Sequence, residues 1–404
     1  MALAATGCSS ILEQESPSRV LASSLEGPTS VQVLVDGTKA AFGCALQVHV
    51  TSTGLLSDEL DDTQLGGPPM NDLDRRTPQP SATSGYGPSP CNVSQIFGLY
   101  VPLQTARWMG DFALGAAQTF TDAEVTNRQA LLANAAMLAG YSHLMLGEAF
   151  CSAAVDGGPE VTPTQLFTLA DQRFGTALTA AQAANDGNLL SASRVGRARA
   201  LLDLGRLAEA RTVAQAVPTG FTLSVPYNIA SLYSENLVSR RNRDDLYMSV
   251  GPSFRNLTFG GVADPRVRVT NTGRVGQDRN TIVWTADRYP SGSTPIDLAT
   301  WEEAQLIIAE TEGGQAAVAI INNLHSRVGL PSFSSTDATA IRAQIIDERA
   351  RELFLEGRRA YDIARFNLPL IPVPGTTFPV KGGTYGNARC FPLPDIERNN
   401  NANF

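Results

Sequence analysis

The sequence has few of the side chains from which enzymes usually build active sites. It contains only three histidines, and each of them, His49, His143 and His325, stands alone in a helical pattern, as packed or surface histidines do. No G-x-S-x-G elbow, P-loop or H-E-x-x-H zinc motif occurs. The densest acidic cluster lies among arginines near the C-terminus, and neighbouring cations lower carboxylate pKa values, which disfavours a proton-donating acid. We therefore expect no catalytic residue and no cofactor.

Charge, metal-binding spacings and long apolar runs are also scarce. Charged residues make up 17% of the chain and the net charge is −8, so nucleic acid, which requires a basic surface, is not an expected partner. We expect no membrane-spanning helix, because we judge no stretch of the sequence apolar enough to cross a bilayer. None of the five cysteines forms a C-x-x-C pair, so we expect no zinc or iron–sulfur site. Asp58, Glu59, Asp61 and Asp62 lack the glycine and terminal glutamate of an EF-hand, and we interpret them as a solvated loop rather than as calcium ligands.

Apolar residues recur at helical spacing over most of the sequence. We predict single helices at 30–56, 91–120, 122–150 and 166–184. Thr162 and Pro163 supply an N-cap and a first helical residue for the last of these. Segments 193–217 and 301–321 each indicate a helix–turn–helix, with a glycine followed five residues later by an alanine, as in tetratricopeptide repeats. The predicted fold class is mainly α, a tetratricopeptide-like array of helical hairpins.

Two irregular segments interrupt the helices. Residues 57–90 are rich in Gly, Pro and Asp, and they form a loop longer than compact domains usually carry without a function. Residues 218–300 alternate short β-branched and aromatic runs with turns, which indicates a small β-containing insert. We divide the chain into an N-terminal tether at 1–29, a helical part at 30–217, the insert at 218–300 and a C-terminal helical part with its tail at 301–404.

The charged stretch 345–366 carries an apolar stripe at helical spacing, and Gly357 marks a break between two helices. Its predicted stripe is Ile346, Ala350, Leu353, Gly357 and Tyr361. Helical spacing predicts the ion pairs Glu348–Arg351, Asp362–Arg358 and Asp362–Arg365. We expect a structural ion network that docks this helix pair against other helices. Its predicted members are Glu348, Glu352, Arg358, Asp362 and Arg365.

Part of this stretch, E-R-A-R-E-L-F-L-E-G-R-R-A-Y-D-I-A-R-F at 348–366, resembles the C-terminal signature of the SusD/RagB family. The A-D-P-R at 263–266 and the closing F-P-L-P-D-I-E-R-N-N-N at 391–401 also resemble segments of that family. Its members are outer-membrane lipoproteins of glycan-uptake systems. The resemblance implies a helical core with tetratricopeptide-like repeats, a nutrient ligand such as a glycan, and a SusC-like TonB-dependent transporter as partner. A helical-repeat scaffold that binds only proteins and a periplasmic enzyme remain the alternatives.

The cysteines fit an exported protein. The residues before Cys8 resemble a lipobox, so we expect Cys8 to carry a lipid anchor in the outer membrane. The other four cysteines indicate two disulfides with three possible connectivities, inert thiols being the alternative. If two helical arms of equal length reverse near Thr121, the chain returns Cys151 to the level of Cys91. We therefore predict a Cys91–Cys151 disulfide.

Aromatic side chains in the irregular segments are the candidates for ligand contacts. Sugar rings stack on aromatic faces, and polar groups take their hydroxyls. In the family that the sequence resembles, ligand contacts come from the corresponding two regions. The candidate ligand-binding residues are Tyr86, Tyr247, Trp284 and Tyr289. Trp108 and Trp301 lie in helical patterns and are assigned to the core. Aromatics are only 7% of the chain, so peptide or another nutrient is an alternative ligand.

Overall fold

Helices dominate the protein in its computed structural model, which describes residues 25–66, 70–81, 98–231 and 234–404. The α-helices of these ranges are α1 (Ser30–Leu56), α2 (Met70–Asp74), α3 (Tyr100–Gln118), α4 (Arg128–Ala149), α5 (Pro163–Ala183), α6 (Gly187–Asp203), α7 (Leu207–Gln215), α8 (Leu237–Ser239), α9 (Trp301–Glu312), α10 (Gly314–Val328), α11 (Ala338–Glu352), α12 (Arg359–Arg365) and α13 (Asp395–Asn400). The predicted mainly α fold class is confirmed. The predicted bounds of the first helix coincide with those of α1.

Consecutive helices from α3 to α7 pack against one another as antiparallel-type hairpins, and α1 packs against α3 and α4. Local signals set their ends. At the start of α5, the Thr162 hydroxyl accepts the Gln165 N–H, the Gln165 side chain accepts the Thr162 N–H, and Pro163 follows, which makes a capping box. Between α6 and α7, Gly205 adopts a φ of +73°, a conformation that glycine adopts at little cost.

Helix α4 forms the centre of the core. Its Ala-, Leu- and Met-rich sequence is buried on nearly every side, by α1, α3, α5 and α6. Contrary to our expectation, α4 does have the length and composition of a membrane span, although 89% of its apolar window is buried inside the protein. A helix that is hydrophobic all round is also what the centre of a large helical domain requires.

The strands are short and lie mostly between α7 and α9. They are β1 (Leu60–Asp62), β2 (Ala153–Ala154), β3 (Glu160–Val161), β4 (Thr222–Val225), β5 (Met248–Val250), β6 (Thr258–Phe259), β7 (Val262–Ala263), β8 (Val269–Val275), β9 (Ile282–Ala286) and β10 (Ile296–Thr300). Within the described ranges they pair as five antiparallel two-stranded sheets. The pairing of β1 with β5 joins the first irregular segment to the second, with Leu60 opposite Val250. The described parts of the two irregular segments are therefore in contact with each other.

The predicted break at Gly357 separates α11 from α12. Gly357 has a φ of +79°, and a Cβ on it would lie 2.6 Å from the His49 ring of α1. Only glycine satisfies both the positive φ and this close approach. The predicted stripe is partly wrong, because Ile346, Ala350 and Tyr361 are only half-buried. The buried positions of α11 are Ile341, Ile345, Glu348, Arg349 and Arg351.

Helix α11 turns charged side chains inward because their partners come from other elements. Glu348 contacts Arg266 at 2.6 Å and the His325 ring at 2.7 Å, and Glu352 contacts Arg266 at 3.2 Å. The predicted Glu348–Arg351 pair is therefore wrong, since Arg351 contacts Asp347 and Asp264 instead. Arg266 belongs to the insert, and spacing along one helix gives no information about it.

Around helix α12, too, some predicted ion pairs are replaced by pairs with other residues. Asp362 bonds Arg365, as predicted from spacing, but its other partner is Arg349 rather than Arg358. Arg358 points away from its own helix, towards carboxylates of α4 and α9. The distances are 2.9 Å for Asp362–Arg349, 2.8 Å for Asp362–Arg365, and 3.8 Å for both Arg358–Glu148 and Arg358–Glu303.

The predicted Cys91–Cys151 disulfide is wrong, because Cys151 pairs with Cys390 at a Cα separation of 5.3 Å. The C-terminal tail runs beside the end of α4, where Phe391 N–H donates to Ala149 O at 2.8 Å and Cys151 N–H donates to Phe391 O at 2.9 Å. Cys44 is also disulfide-bonded. Cys8 and Cys91 lie outside the described residues.

Candidate functional site

The acidic run of the first irregular segment is not a solvated loop, so that interpretation is wrong. Pairing of β1 with β5 carries these carboxylates into the protein, where each needs a partner. The contacts are Asp58 with Arg359 at 2.7 Å, Glu59 with the Leu355 N–H at 2.7 Å, Asp61 with Arg255 at 3.1 Å and Asp62 with Lys381 at 2.6 Å. Within the described ranges, no group of His, Cys, Asp or Glu is arranged to hold a metal ion.

Asp61 forms part of a partly exposed surface with Arg255, Ile282 and Trp284, which we call the insert face, and the buried Ser249 contacts this face from inside. Strands β1, β5 and β9 bring these residues together, and the Trp284 N–H donates to the Ser249 hydroxyl at 2.9 Å. The Arg255 guanidinium lies 5.4 Å from the centre of the Trp284 ring. Its Nη2 donates to Asp61 at 3.1 Å and its Nε to Val250 O at 2.8 Å. An aromatic ring, a cation and a carboxylate thus meet at one place.

The charges of the insert face are balanced. Burial raises the pKa of Asp61 to about 6, and the nearby Arg255 opposes that shift. Burial also lowers the pKa of Arg255, while Asp61 opposes the change. The Arg255 and Asp61 side chains keep 20% and 28% of their surface exposed. The face therefore presents donors and acceptors with little net charge, an arrangement that suits uncharged hydroxyl groups.

The other predicted ligand residues have different surroundings. Tyr289 is 2% exposed and donates its hydroxyl to Leu355 O at 3.0 Å, so its ring belongs to the core and is removed from the candidates. Tyr247 is half-buried against the core, with the Arg241 guanidinium 5.0 Å from its ring centre. Tyr86 lies outside the described residues. Of the three described candidates, Trp284 and Tyr247 are partly exposed beside a guanidinium that pairs with a carboxylate, and of these two Trp284 lies on the insert face.

Sequence reasoning missed one pair of aromatic residues. Trp301 is buried, as expected, but Trp108 is 51% exposed and stacks on Phe112, which is 43% exposed. Helix α3 buries Leu103 and Gly110 on its opposite side. Trp108 and Phe112 are four residues apart and out of phase with the small and aliphatic residues of α3. That difference in helical phase could have predicted from sequence that the two rings are exposed.

Solved structures share this fold. It is similar to that of a SusD superfamily protein from Bacteroides vulgatus, with 15% identity, coverage of 93% of this chain and 97% of the other, and a TM-score of 0.71. A putative sugar binding protein from the same organism shares 14% identity over 93% and 97% of the two chains, with a TM-score of 0.69. A laminarin binding SusD-like protein shares 14% identity over 92% and 97%, with a TM-score of 0.64.

The sequence agrees with the fold. Residues 303–401 match the model of the SusD family. No curated protein sequence matches the chain. The C-terminal part of the chain is therefore similar to the SusD family in sequence, and the chain is similar to SusD-like structures in fold.

Proposed function

We propose that this protein captures a carbohydrate at the insert face and passes it to a TonB-dependent transporter in the outer membrane. The observation that carries the proposal is the meeting of Trp284, Arg255 and Asp61, which are far apart in sequence, on one partly exposed surface. The fold is similar to those of a putative sugar binding protein and of a laminarin binding SusD-like protein, which supports this ligand class.

The chemistry of the face matches a sugar ring. The indole of Trp284 provides an apolar surface for the C–H groups of a pyranose, and aromatic side chains provide large contact areas of this kind. Arg255 offers donors and Asp61 offers acceptors within reach of the hydroxyls of the same ring. The bond from Arg255 Nε to Val250 O holds the guanidinium in place before a ligand arrives, and the bond from the Trp284 N–H to Ser249 fixes the strand that carries the indole. Preorganisation of this kind reduces the entropic cost of binding.

Calorimetric titration of the Trp284→Ala variant tests the site. The probes are neutral oligosaccharides, with laminarin-derived oligosaccharides as the first choice. We expect the affinity to fall at least tenfold, equivalent to about 1.4 kcal/mol, because the stacking surface is removed while the strands remain paired through their backbones.

Leu207→Ala serves as the control, because Leu207 is also exposed, at 47%, but lies on α7. It should leave the affinity unchanged. Wild-type affinity in the Trp284→Ala variant would contradict the proposed site. A wild-type protein that binds none of the neutral oligosaccharides would contradict the ligand class.

A further inference from the structure

Helices α3 and α13 enclose a cleft of about 430 Å³ outside the insert face. Tyr100, Gln104 and Trp108 line it from α3, and Glu397 and Asn400 line it from α13. We call it the α3 cleft. Its volume lies within the range of small-ligand pockets. It shares no residue with the insert face, whose members come from β1, β5 and β9 and their flanking turns.

An aromatic platform borders the α3 cleft. The rings of Trp108 and Phe112 stack with centroids 5.1 Å apart and planes inclined by 10°. Soluble proteins seldom expose two large aromatic side chains side by side unless they bind something. Stacking on Phe112 restricts the rotation of the indole, so the platform is formed before a ligand binds. A flat, fixed apolar ring beside polar side chains is the arrangement that sugar rings require.

The polar lining of the cleft is also held in position. Gln104 donates to the Tyr100 hydroxyl at 3.0 Å and to Ala154 O at 2.7 Å, and the Tyr100 hydroxyl accepts the Ala154 N–H at 3.0 Å. Glu397 interacts with the same hydroxyl and contributes to its raised pKa, of which burial is the largest cause. Glu397 is half-buried and Asn400 exposed. These two side chains supply a carboxylate acceptor and an amide for ligand hydroxyls.

The charges around the cleft favour an uncharged ligand. Arg107, the cation that lines the cleft, contacts Asp156 at 2.6 Å and Asp111 at 3.7 Å, so two carboxylates already balance it. Glu397 adds a negative charge. The neighbouring Arg398 side chain lies 3.8 Å from Glu160. Among the described residues that line the cleft, no cation is left to pair with a carboxylate or sulfate group.

From this geometry we propose that the α3 cleft is a second carbohydrate-binding site, specific for neutral glycans over anionic ones. The ligand class is shared with the proposed function, but the site stands on different residues. A long neutral polysaccharide that reaches both sites would bind more tightly than a short oligosaccharide, because the second contact becomes intramolecular.

Tryptophan fluorescence separates the two sites, because the chain has three tryptophans and Trp301 is 5% exposed. The probes are laminarin-derived oligosaccharides, polymeric laminarin and dextran sulfate as an anionic glycan. In the Trp284→Ala variant, oligosaccharide should still change the emission, through Trp108, but at concentrations at least tenfold higher than the wild type requires. In the Trp108→Ala variant, affinity for polymeric laminarin should fall at least tenfold, with the oligosaccharide affinity of the insert face unchanged. Dextran sulfate should not compete.

The variants give distinguishable results. A Trp108→Ala protein with wild-type affinity for polymeric laminarin would overturn the second site and leave the insert face intact. If Trp108→Ala abolished all binding and Trp284→Ala caused no loss of binding, the insert face would be contradicted as a binding site and the α3 cleft would be supported. Competition by dextran sulfate equal to that of a neutral glucan would overturn the stated specificity.

Phe112→Ala provides a second variant. Its affinity for polymeric laminarin should fall threefold or more, because the indole of Trp108 loses the ring on which it stacks. Circular dichroism confirms that each variant is folded.

Discussion

A buried carboxyl group illustrates how the fold changes the chemistry of one residue. Glu59 accepts the Leu355 N–H at 2.7 Å, while the neighbouring Asp58 takes the two hydrogen bonds of Arg359. Burial is the main reason that the pKa of Glu59 rises from 4.5 to about 8, and the nearby charge of Asp58 adds to the rise. The folded protein therefore holds a proton on Glu59 at neutral pH, and the unfolded chain does not.

Glu59→Gln should flatten the dependence of stability on pH. Folding takes up a proton at Glu59, so its contribution is fully present below about pH 4.5 and is lost as pH rises towards 8. Between these values the wild-type free energy of unfolding should decline by up to about 1.4 kcal/mol per pH unit on account of this group. Glutamine carries no proton to lose. Urea unfolding between pH 5.5 and 8 measures the difference in slope.

Glu209→Gln is the control for this measurement. Glu209 lies on the surface, and hydrogen bonds from Arg206 lower its pKa, so its proton is lost below the range of the experiment. Its slope above pH 5.5 should equal that of the wild type. A Glu59→Gln variant that keeps the wild-type slope would show that Glu59 is ionised in the folded protein.

At the scale of elements, helix α12 is fixed to the core through charge rather than through apolar contacts alone. Arg358 is 3% exposed, donates to Leu298 O at 3.3 Å, and lies 3.8 Å from both Glu148 and Glu303. Arg199 contacts the same two carboxylates. Two cations and two anions from α4, α6, α9 and the start of α12 thus compensate one another in the interior.

Arg358→Ala should lower the free energy of unfolding by about 3 kcal/mol, because removal of one partner leaves buried carboxylates undercompensated. Denaturant unfolding gives the value. Arg206→Ala is the matched control, since Arg206 also bonds two carboxylates but is exposed, and its unfolding midpoint should stay close to that of the wild type. A loss below about 0.5 kcal/mol for Arg358→Ala would place this arginine with ordinary surface ion pairs.

Across the whole molecule, the C-terminal tail connects parts that are distant in sequence. The Cys151–Cys390 disulfide spans a sequence separation of 239, and Lys381 pairs with Asp62 at 2.6 Å. The Asp395 N–H donates to Pro80 O at 2.7 Å and positions α13. The tail therefore contacts both the described part of the first irregular segment and the residues that follow α4, and it forms one wall of the α3 cleft.

The proposed anchor and partner are also properties of the whole molecule. In cells that express the protein, it should fractionate with the outer membrane and co-purify with a large β-barrel transporter. Cys8→Ser should release it into the periplasm, because the acylated residue would be lost; Ser9→Ala should not. A Cys8→Ser protein that remains in the membrane fraction would contradict the proposed lipidation.

Much of the helical framework was predictable because its signals are local. The apolar pattern of Ser30–Leu56, the capping residues Thr162 and Pro163, and the break at Gly357 each act within one or two turns of chain. The signature at 348–366 predicted the similarity to the SusD family, which the match of residues 303–401 confirms, for the same reason, since its residues stand together in sequence.

Only the tertiary structure decided which residues meet. Cys151 bonds Cys390, Glu348 bonds Arg266, and Trp284 lies beside Arg255. It also decided which side chains are exposed: Trp108 is exposed and Tyr289 is buried. Spacing along a chain determines neighbours over about one helical turn. Contacts between segments that are hundreds of residues apart depend on how all the helices and strands pack, and so does the burial that sets the pKa of Glu59.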